Sequence, residues 1–136
     1  MKNYKYIIIG LLLAALLLFA STAHATQFIA TAYDLSPQSC GKHKDHPHYG
    51  ITASGFNLTG HTWQSARVIS ADLSVLPLHT KVKINFPAPY EYMDGIYTVK
   101  DTGGGIHRHH IDIFMGENAH AEAIKFGRRH VIVTVL

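Results

Sequence analysis

Short runs of alternating or β-branched residues, separated by glycine- and proline-containing turns, recur along the chain after residue 25. Six of these runs predict strands: Gln27–Tyr33, Arg67–Ala71, Lys81–Phe86, Gly95–Lys100, Ile111–Met115 and Val131–Leu136. A seventh short strand is expected over Ile51–Ala53, whereas Asp34–Tyr49 is typical of a long exposed loop. Short strands and glycine-rich turns, together with one small helix, favour a mainly β fold in the form of a small closed barrel.

One segment has helix signals. Ala119–Phe126 is rich in helix-forming residues, Asn118 can cap its start, and Gly127 suits a left-handed position at its end. We therefore expect a mainly β domain with one or two short helices.

The first 25 residues are typical of a secretory signal peptide. Lys2 and Lys5 precede an apolar run over Tyr6–Ala20, and Ser21–Ala25 ends in the small-x-small pattern that favours cleavage after Ala25. The run falls short of the roughly 20 residues of a spanning helix, although an uncleaved anchor is the alternative. We predict a signal peptide over 1–25, a single domain over 26–136, and no stable membrane insertion after cleavage.

The charge balance argues against nucleic acid as a partner. The formal net charge is +3, and two of the lysines lie in the predicted signal peptide, so the domain itself is nearly neutral. A nearly neutral domain has little electrostatic attraction to phosphate backbones.

Three aspartates stand at marked positions of the strand pattern. Asp72 follows one predicted strand, Asp101 ends another before a glycine run, and Asp112 lies between two isoleucines. Taken singly, each aspartate has a simple structural interpretation. Asp72 could be a turn or cap residue, Asp101 could form a turn, and Asp112 could lie on the exposed face of a strand.

Taken together, the motifs resemble a known domain. They are T-A-Y (Thr31–Tyr33), C-G-K (Cys40–Lys42), G-I-T-A-S-G (Gly50–Gly55), A-D-x-S-V-L-P-L (Ala71–Leu78), D-T-G-G (Asp101–Gly104), I-D-I (Ile111–Ile113) and F-G-R-R-x-V-x-V-x-x-L (Phe126–Leu136). In this order they resemble the 3D domain, named for three aspartates. It occurs in small exported cell-wall proteins of the stationary-phase-survival type and in the catalytic part of membrane-bound lytic transglycosylase A.

This resemblance implies a six-stranded double-psi β-barrel and an enzyme. Lytic transglycosylases cleave the β-1,4 bond between N-acetylmuramic acid (MurNAc) and N-acetylglucosamine (GlcNAc) of peptidoglycan and leave a 1,6-anhydro product. By motif, Asp112 corresponds to the family's acid and base, and Asp101 and Asp72 correspond to two supporting aspartates. The implied partner is the peptidoglycan glycan strand, and the implied location is secreted, in the cell wall or periplasm. No metal or cofactor is expected.

The residue chemistry is compatible with that role. A single carboxyl can protonate the departing sugar oxygen and then take the proton of the incoming 6-hydroxyl, provided that its pKa is raised. Apolar neighbours such as Ile111 and Ile113, together with nearby carboxylates, would raise the pKa of Asp112. Asp101 or Asp72 could stabilise positive charge on the sugar ring. An ordinary hydrolase, with a second carboxylate as nucleophile or water activator, stays open at this point.

Seven further residues are candidates for substrate contacts: Thr31, Tyr33, Thr52, Ser54, Lys100, Gly103 and Gly104. The hydroxyls could bind N-acetyl and hydroxyl groups, while Tyr33 could stack on a sugar or belong to the core. Lys100, with Arg108, could meet the lactyl carboxylate or stem peptide. The glycines either admit close backbone approach or form the psi loop.

Among the departures from the family pattern, two concern histidines. His79 stands where a turn glycine is common, which predicts a strained or differently shaped turn. The stretch before Asp112 contains His107, His109 and His110, and it is far richer in histidine than usual.

Three alternatives remain at this stage. The first is a zinc-dependent cell-wall hydrolase using histidines of HKDHPH (His43–His48) and HRHH (His107–His110), although these lack a recognised ligand spacing. The second is an aspartic protease, because Asp101–Gly103 reads Asp-Thr-Gly, although such an enzyme needs two facing motifs. The third is a non-catalytic glycan-binding barrel of the expansin-like kind.

Overall fold

The computed structural model describes Tyr4, Ile7 and residues 23–136. Almost all of the predicted signal peptide over 1–25 therefore lies outside the described residues. Within the described part, no helix is long and apolar enough to cross a membrane.

Six strands form one closed barrel. They are β1 (Ala25–Asp34), β2 (Val68–Ala71), β3 (Lys81–Asn85), β4 (Gly95–Asp101), β5 (His110–Gly116) and β6 (Arg129–Val135). Around the barrel their order is β1-β5-β2-β4-β3-β6. The helical segments are α1 (Pro37–Cys40), α2 (Trp63–Ala66), α3 (His120–Phe126) and a 3₁₀ turn over Glu91–Met93.

The order of the strands interleaves distant parts of the chain. β1 pairs with β5 and β2 pairs with β4 in parallel, and the remaining four neighbour pairs are antiparallel. Only β3 and β4 are neighbours both in the barrel and in the sequence. The predicted mainly β, six-stranded closed barrel is thus confirmed.

Side-chain alternation explains how each strand contributes to the core. In β3 the lysines are exposed while Val82 and Ile84 are fully buried, as the two-residue period of a strand requires. All four residues of β2 are buried, because both of its faces are covered: Ile69 and Ala71 belong to the main core, and Val68 packs in a second cluster with Leu58 and Phe114. At one end of the barrel, α3 packs Phe126 edge-on against Phe86 and Tyr90.

Several local predictions need correction. The short strand expected over Ile51–Ala53 is wrong: only an isolated bridge joins Ile51 to Asn57, because Thr52 turns the chain by bonding to Phe56 through its backbone N–H and hydroxyl. The loop expected over Asp34–Tyr49 begins after β1 and contains α1. Asn118 does not cap α3.

The N-cap of α3 is Ala119, which makes no side-chain cap bond, and the helix ends before Gly127 at φ 64°. The unusual turn predicted at His79 is present, because this histidine adopts a φ of 72°, in the region that favours glycine.

Candidate active site

The pairing of β2 with two neighbours brings two aspartates together. In the barrel register, Ser70 of β2 pairs with Asp101 on β4 and with Asp112 on β5. On the other side of β5, Thr31 of β1 pairs with Asp112. Strand pairing alone thus places both carboxylates beside one buried serine, although they are eleven positions apart in the sequence.

A cavity of about 320 Å³ opens at this place. The residues that line it are Tyr33, Leu35, Ser39, Cys40, Lys42, Gly50, Ile51, Leu58, Ser70, Asp101, Thr102, Gly103, Gly104, Ile106 and Asp112. The floor is polar around the two aspartates, and leucine and isoleucine side chains form part of the walls. A concave site with a few convergent polar groups is the usual form of a ligand-binding pocket.

Asp112 is the carboxyl with the most perturbed acidity in this cavity. Its pKa is raised to about 6, because burial and the negative charge of Asp101 raise it more than the hydrogen bond from Thr31 lowers it. The Thr31 hydroxyl donates to Oδ1 over 2.9 Å, and Oδ2 makes no hydrogen bond to a residue that the structure describes. Asp112 is therefore a carboxyl that can hold a proton near neutral pH and has one oxygen available.

Asp101 is held rigidly at the end of β4. Its Oδ1 accepts the backbone N–H of Ala53 at 3.0 Å and that of Thr102 at 2.9 Å. The turn that contains Ala53 is itself tied to β4, because the N–H of Ser54 donates to the carbonyl of Lys100 at 3.0 Å. Two backbone donors fix the direction of this carboxylate.

Asp72 lies apart from the other two aspartates. It is not among the residues that line the cavity. Its Oδ1 accepts the N–H and the hydroxyl of Ser74, and its Oδ2 accepts the N–H of Arg108 at 2.7 Å. These donors hold the pKa of Asp72 down at about 2. Asp72 thus ties the turn after β2 to the loop that leads into β5.

Tyr33 belongs both to the core and to the cavity. It is buried, its ring centroid lies 5.5 Å from that of Phe114, and it lines the cavity. Burial raises the pKa of its hydroxyl, with Ser70 as a polar neighbour. Among the described residues, this hydroxyl is the one buried side-chain polar atom that lacks a hydrogen-bond partner of good geometry.

The other predicted substrate contacts fall into two groups. Gly103 and Gly104 line the cavity, whereas Thr31, Thr52, Ser54 and Lys100 do not. The hydroxyls of Thr52 and Ser54 bond to each other at 3.0 Å within their turn. The Nζ of Lys100 lies 3.5 Å from Nδ1 of His79 and 5.8 Å from the ring centroid of Phe56.

Sequence reasoning missed Ser70 and Lys42 as cavity residues. Ser70 had a readable signal, because it is a hydroxyl residue within an otherwise apolar strand that precedes one of the marked aspartates. Lys42 had only its place in the C-G-K motif, and the loop geometry that carries it to the cavity has no pattern in the sequence.

The histidine clusters were predicted as an alternative zinc site. Among residues 23–136, no group of three or more His, Cys, Asp or Glu side chains is arranged to hold a metal ion.

Comparisons with known proteins converge on one domain and one fold. A family model described as "3D domain" matches residues 67–136. The chain is 31% identical over 116 residues to YabE of Bacillus subtilis (strain 168), whose name describes it as a cell wall shaping protein. That match covers 85% of this chain but only 24% of YabE.

The barrel is also similar to solved structures of MltA from Escherichia coli. One is 23% identical with a TM-score of 0.50, and another, with bound chitohexaose, is 20% identical with a TM-score of 0.51. Both matches cover 62% of this chain, and they cover 26% and 27% of the respective MltA chains. At this identity the similarity concerns the fold, and the chain spans about a quarter of the length of these relatives.

Proposed function

Because this chain belongs to the 3D domain family, we propose that it is a peptidoglycan lytic transglycosylase that cleaves the MurNAc–GlcNAc β-1,4 bond and forms 1,6-anhydro-MurNAc. The observation that carries the proposal is the Asp112 carboxyl, which lies in the cavity and has a pKa raised to about 6. A carboxyl of this acidity is suited to give and to take a proton near neutral pH.

In the first half of the reaction, Asp112 acts as an acid. Its proton passes to the glycosidic oxygen as the bond between that oxygen and C1 of MurNAc breaks. Positive charge then builds on the sugar ring, and the neighbouring carboxylate of Asp101 stabilises it. The two backbone N–H groups that hold Asp101 keep this charge in place during the step.

In the second half, the same carboxylate acts as a base. The 6-hydroxyl oxygen of MurNAc attacks C1, and its proton passes to Asp112, so that the enzyme returns to its starting state. No water is consumed. This cycle requires one carboxyl to serve both roles, which is efficient when its pKa is close to the working pH.

The remaining cavity groups have supporting roles in the proposal. Ser70 presents a hydroxyl beside the aspartates and offers a hydrogen bond to the sugar, while Tyr33 forms part of the cavity lining. Gly103 and Gly104 allow the backbone to approach the substrate. Asp72 maintains the loop after Gly104 through the N–H of Arg108 rather than touching the substrate.

The relatives support the choice of substrate and location. MltA has been solved with chitohexaose, a glycan, and the name of YabE refers to the cell wall. Glycan strands of peptidoglycan are therefore the proposed partner, and we propose that the chain acts outside the cytoplasm after its signal peptide has been removed.

The proposal is tested by incubating purified peptidoglycan with residues 26–136 and analysing the products by mass spectrometry. We expect 1,6-anhydro muropeptides, which do not gain oxygen from ¹⁸O-labelled water. Reducing ends that carry ¹⁸O would instead indicate a hydrolase, and sedimentation with peptidoglycan without any product would indicate the non-catalytic barrel. Loss of activity with a chelator, and its return with zinc, would favour the zinc-dependent alternative.

A further inference from the structure

A chain of three side chains leads away from the cavity behind Asp112. Nε2 of His110 lies 2.9 Å from Oγ1 of Thr31, and Oγ1 of Thr31 lies 2.9 Å from Oδ1 of Asp112. His110 and Asp112 are two residues apart on β5, so their side chains lie on the same face. Thr31 stands opposite Asp112 on β1.

Because an ionised carboxylate can only accept, the directions of these hydrogen bonds are fixed when Asp112 is charged. The Thr31 hydroxyl has a single hydrogen, which it donates to Oδ1 of Asp112. Its oxygen therefore accepts from His110, and Nε2 of that ring carries a hydrogen. With Oδ1 occupied as an acceptor, the acidic proton of neutral Asp112 has only Oδ2 left to reside on.

We propose that His110 is a positioning residue which, through Thr31, keeps the acidic proton of Asp112 on Oδ2. The proposal rests on the proposed function, in which this proton is transferred to the glycosidic oxygen. Without a donor at position 110, the Thr31 hydroxyl can turn and accept a proton from Oδ1. The acid would then spend part of its time with its proton directed away from the substrate.

The charges around His110 do not interrupt this chain of hydrogen bonds. Burial and the positive charge of Arg128 lower the pKa of His110, the backbone of Gly105 raises it, and His107 lowers it slightly. The imidazolium donates to Thr31 from Nε2, and in the neutral ring the same contact requires that the single ring proton resides on Nε2. Asp101 of β4 is the charged group that acts on Asp112 across the intervening strand β2.

The first test measures the titration of the Asp112 carboxyl by NMR with ¹³C-labelled aspartate, which needs no activity. His110→Phe removes the hydrogen-bond donor to Thr31, which weakens the hydrogen bond from Thr31 to the Asp112 carboxylate. We therefore expect the pKa of Asp112 to rise by about half a unit. Thr31→Val should raise it further. Since His110 acts through Thr31, the double variant should match Thr31→Val alone.

The second test compares rates of anhydro-muropeptide release. His110→Phe should lower kcat by roughly threefold with little change in KM, as expected for a misplaced proton. His110→Gln presents an amide donor near the position of Nε2 and should restore both the rate and the titration. His130→Gln, an exposed histidine on β6, is the matched control and should change neither.

The outcomes separate this inference from the proposed function. Should wild-type protein release no anhydro product, the proposed function fails, whereas the carboxyl titration still reports on His110. The inference is overturned if His110→Phe leaves the Asp112 titration unchanged, if the effects of His110→Phe and Thr31→Val simply add, or if His110→Gln behaves like His110→Phe.

Discussion

Asp112 and Asp72 occupy opposite kinds of surroundings, although both belong to the set of three aspartates that marks the domain. Asp112 lies in the cavity with one hydroxyl donor, and burial raises its pKa to about 6. Asp72 lies at a surface turn with three donors, which hold its pKa at about 2. The first carboxyl is prepared to exchange a proton, and the second is kept permanently charged.

The contrast teaches how one residue type supplies both chemistry and architecture. A carboxylate with several donors gains stability as an anion and acts as a fixed anchor for backbone. A carboxylate that loses water without gaining donors is unstable as an anion and retains its proton. The four predictions below test whether the two aspartates differ as sharply as their surroundings indicate.

The largest expected effect is on catalysis. Asp112→Asn removes the proton donor and should reduce anhydro-muropeptide release by about 10²–10⁴-fold, the usual contribution of acid–base catalysis. Asp72→Asn keeps a side-chain oxygen for one of the two backbone donors, and because Asp72 lies outside the cavity lining, this variant should retain most of the activity under the same assay. Equal losses in the two variants would contradict the distinction.

The pH dependence of the wild-type rate should follow the protonation of the Asp112 carboxyl. The protonated form is required, so the rate should fall by about tenfold per pH unit once the pH is well above 6, and at pH 7 about a tenth of Asp112 is protonated. Measuring initial rates between pH 4 and 8 checks this. A rate that rises steadily through this range would show that Asp112 does not act as the acid.

The two aspartates should have opposite effects on stability. The pKa of Asp112 is higher in the folded state than its ordinary value of 3.8, so its ionisation disfavours folding as the pH rises above 3.8, and the effect reaches roughly 3 kcal/mol above about pH 6. Asp112→Asn should therefore raise Tm at pH 7. The pKa of Asp72 is depressed, so its contribution is present above pH 3.8 and is lost as the pH falls towards 2.

Asp72→Asn should accordingly lower Tm at pH 7, and the difference from wild type should disappear near pH 2. Thermal unfolding followed by circular dichroism at both pH values measures each effect. A lower Tm for Asp112→Asn at pH 7 would mean that its carboxylate is well stabilised in the cavity, contrary to the comparison.

The smallest expected effect concerns Asp101. Asp101→Asn removes a negative charge that raises the pKa of Asp112, while its side-chain oxygen can still accept from Ala53 and Thr102. The titration of Asp112 should move to lower pH by less than about one unit. ¹³C NMR of the Asp112 carboxyl measures this shift, and a movement to higher pH would rule out the electrostatic coupling.

The positions of the strands could be predicted because burial of one strand face produces an alternation of apolar and polar residues in the sequence, as in Lys81–Asn85. The strand predicted over Ile51–Ala53 failed because Thr52 uses its hydroxyl and its backbone N–H to close a turn with Phe56. A turn formed by a side chain competes with strand pairing, and apolar spacing does not reveal it.

The site was predictable only as a set of residue types in order. The sequence marks three aspartates equally, yet the structure joins Asp101 and Asp112 through Ser70 and leaves Asp72 outside the cavity lining. The three aspartates differ in their burial and in the number of their hydrogen-bond donors. Both properties depend on loops that come together from distant parts of the chain. The same holds for Thr31, whose hydroxyl lies between His110 and Asp112 rather than along the cavity.

The interleaved order of the strands also determines when the protein can first act. Since only β3 and β4 are neighbours in both the sequence and the barrel, almost every pairing closes a long loop of chain. Proteins dominated by such distant contacts fold slowly, in roughly milliseconds to seconds. A partly folded chain has no cavity, because Thr31, Ser70, Asp101 and Asp112 come from four strands that meet only when the barrel forms. The proposed cleavage of the cell wall is therefore delayed until folding is complete.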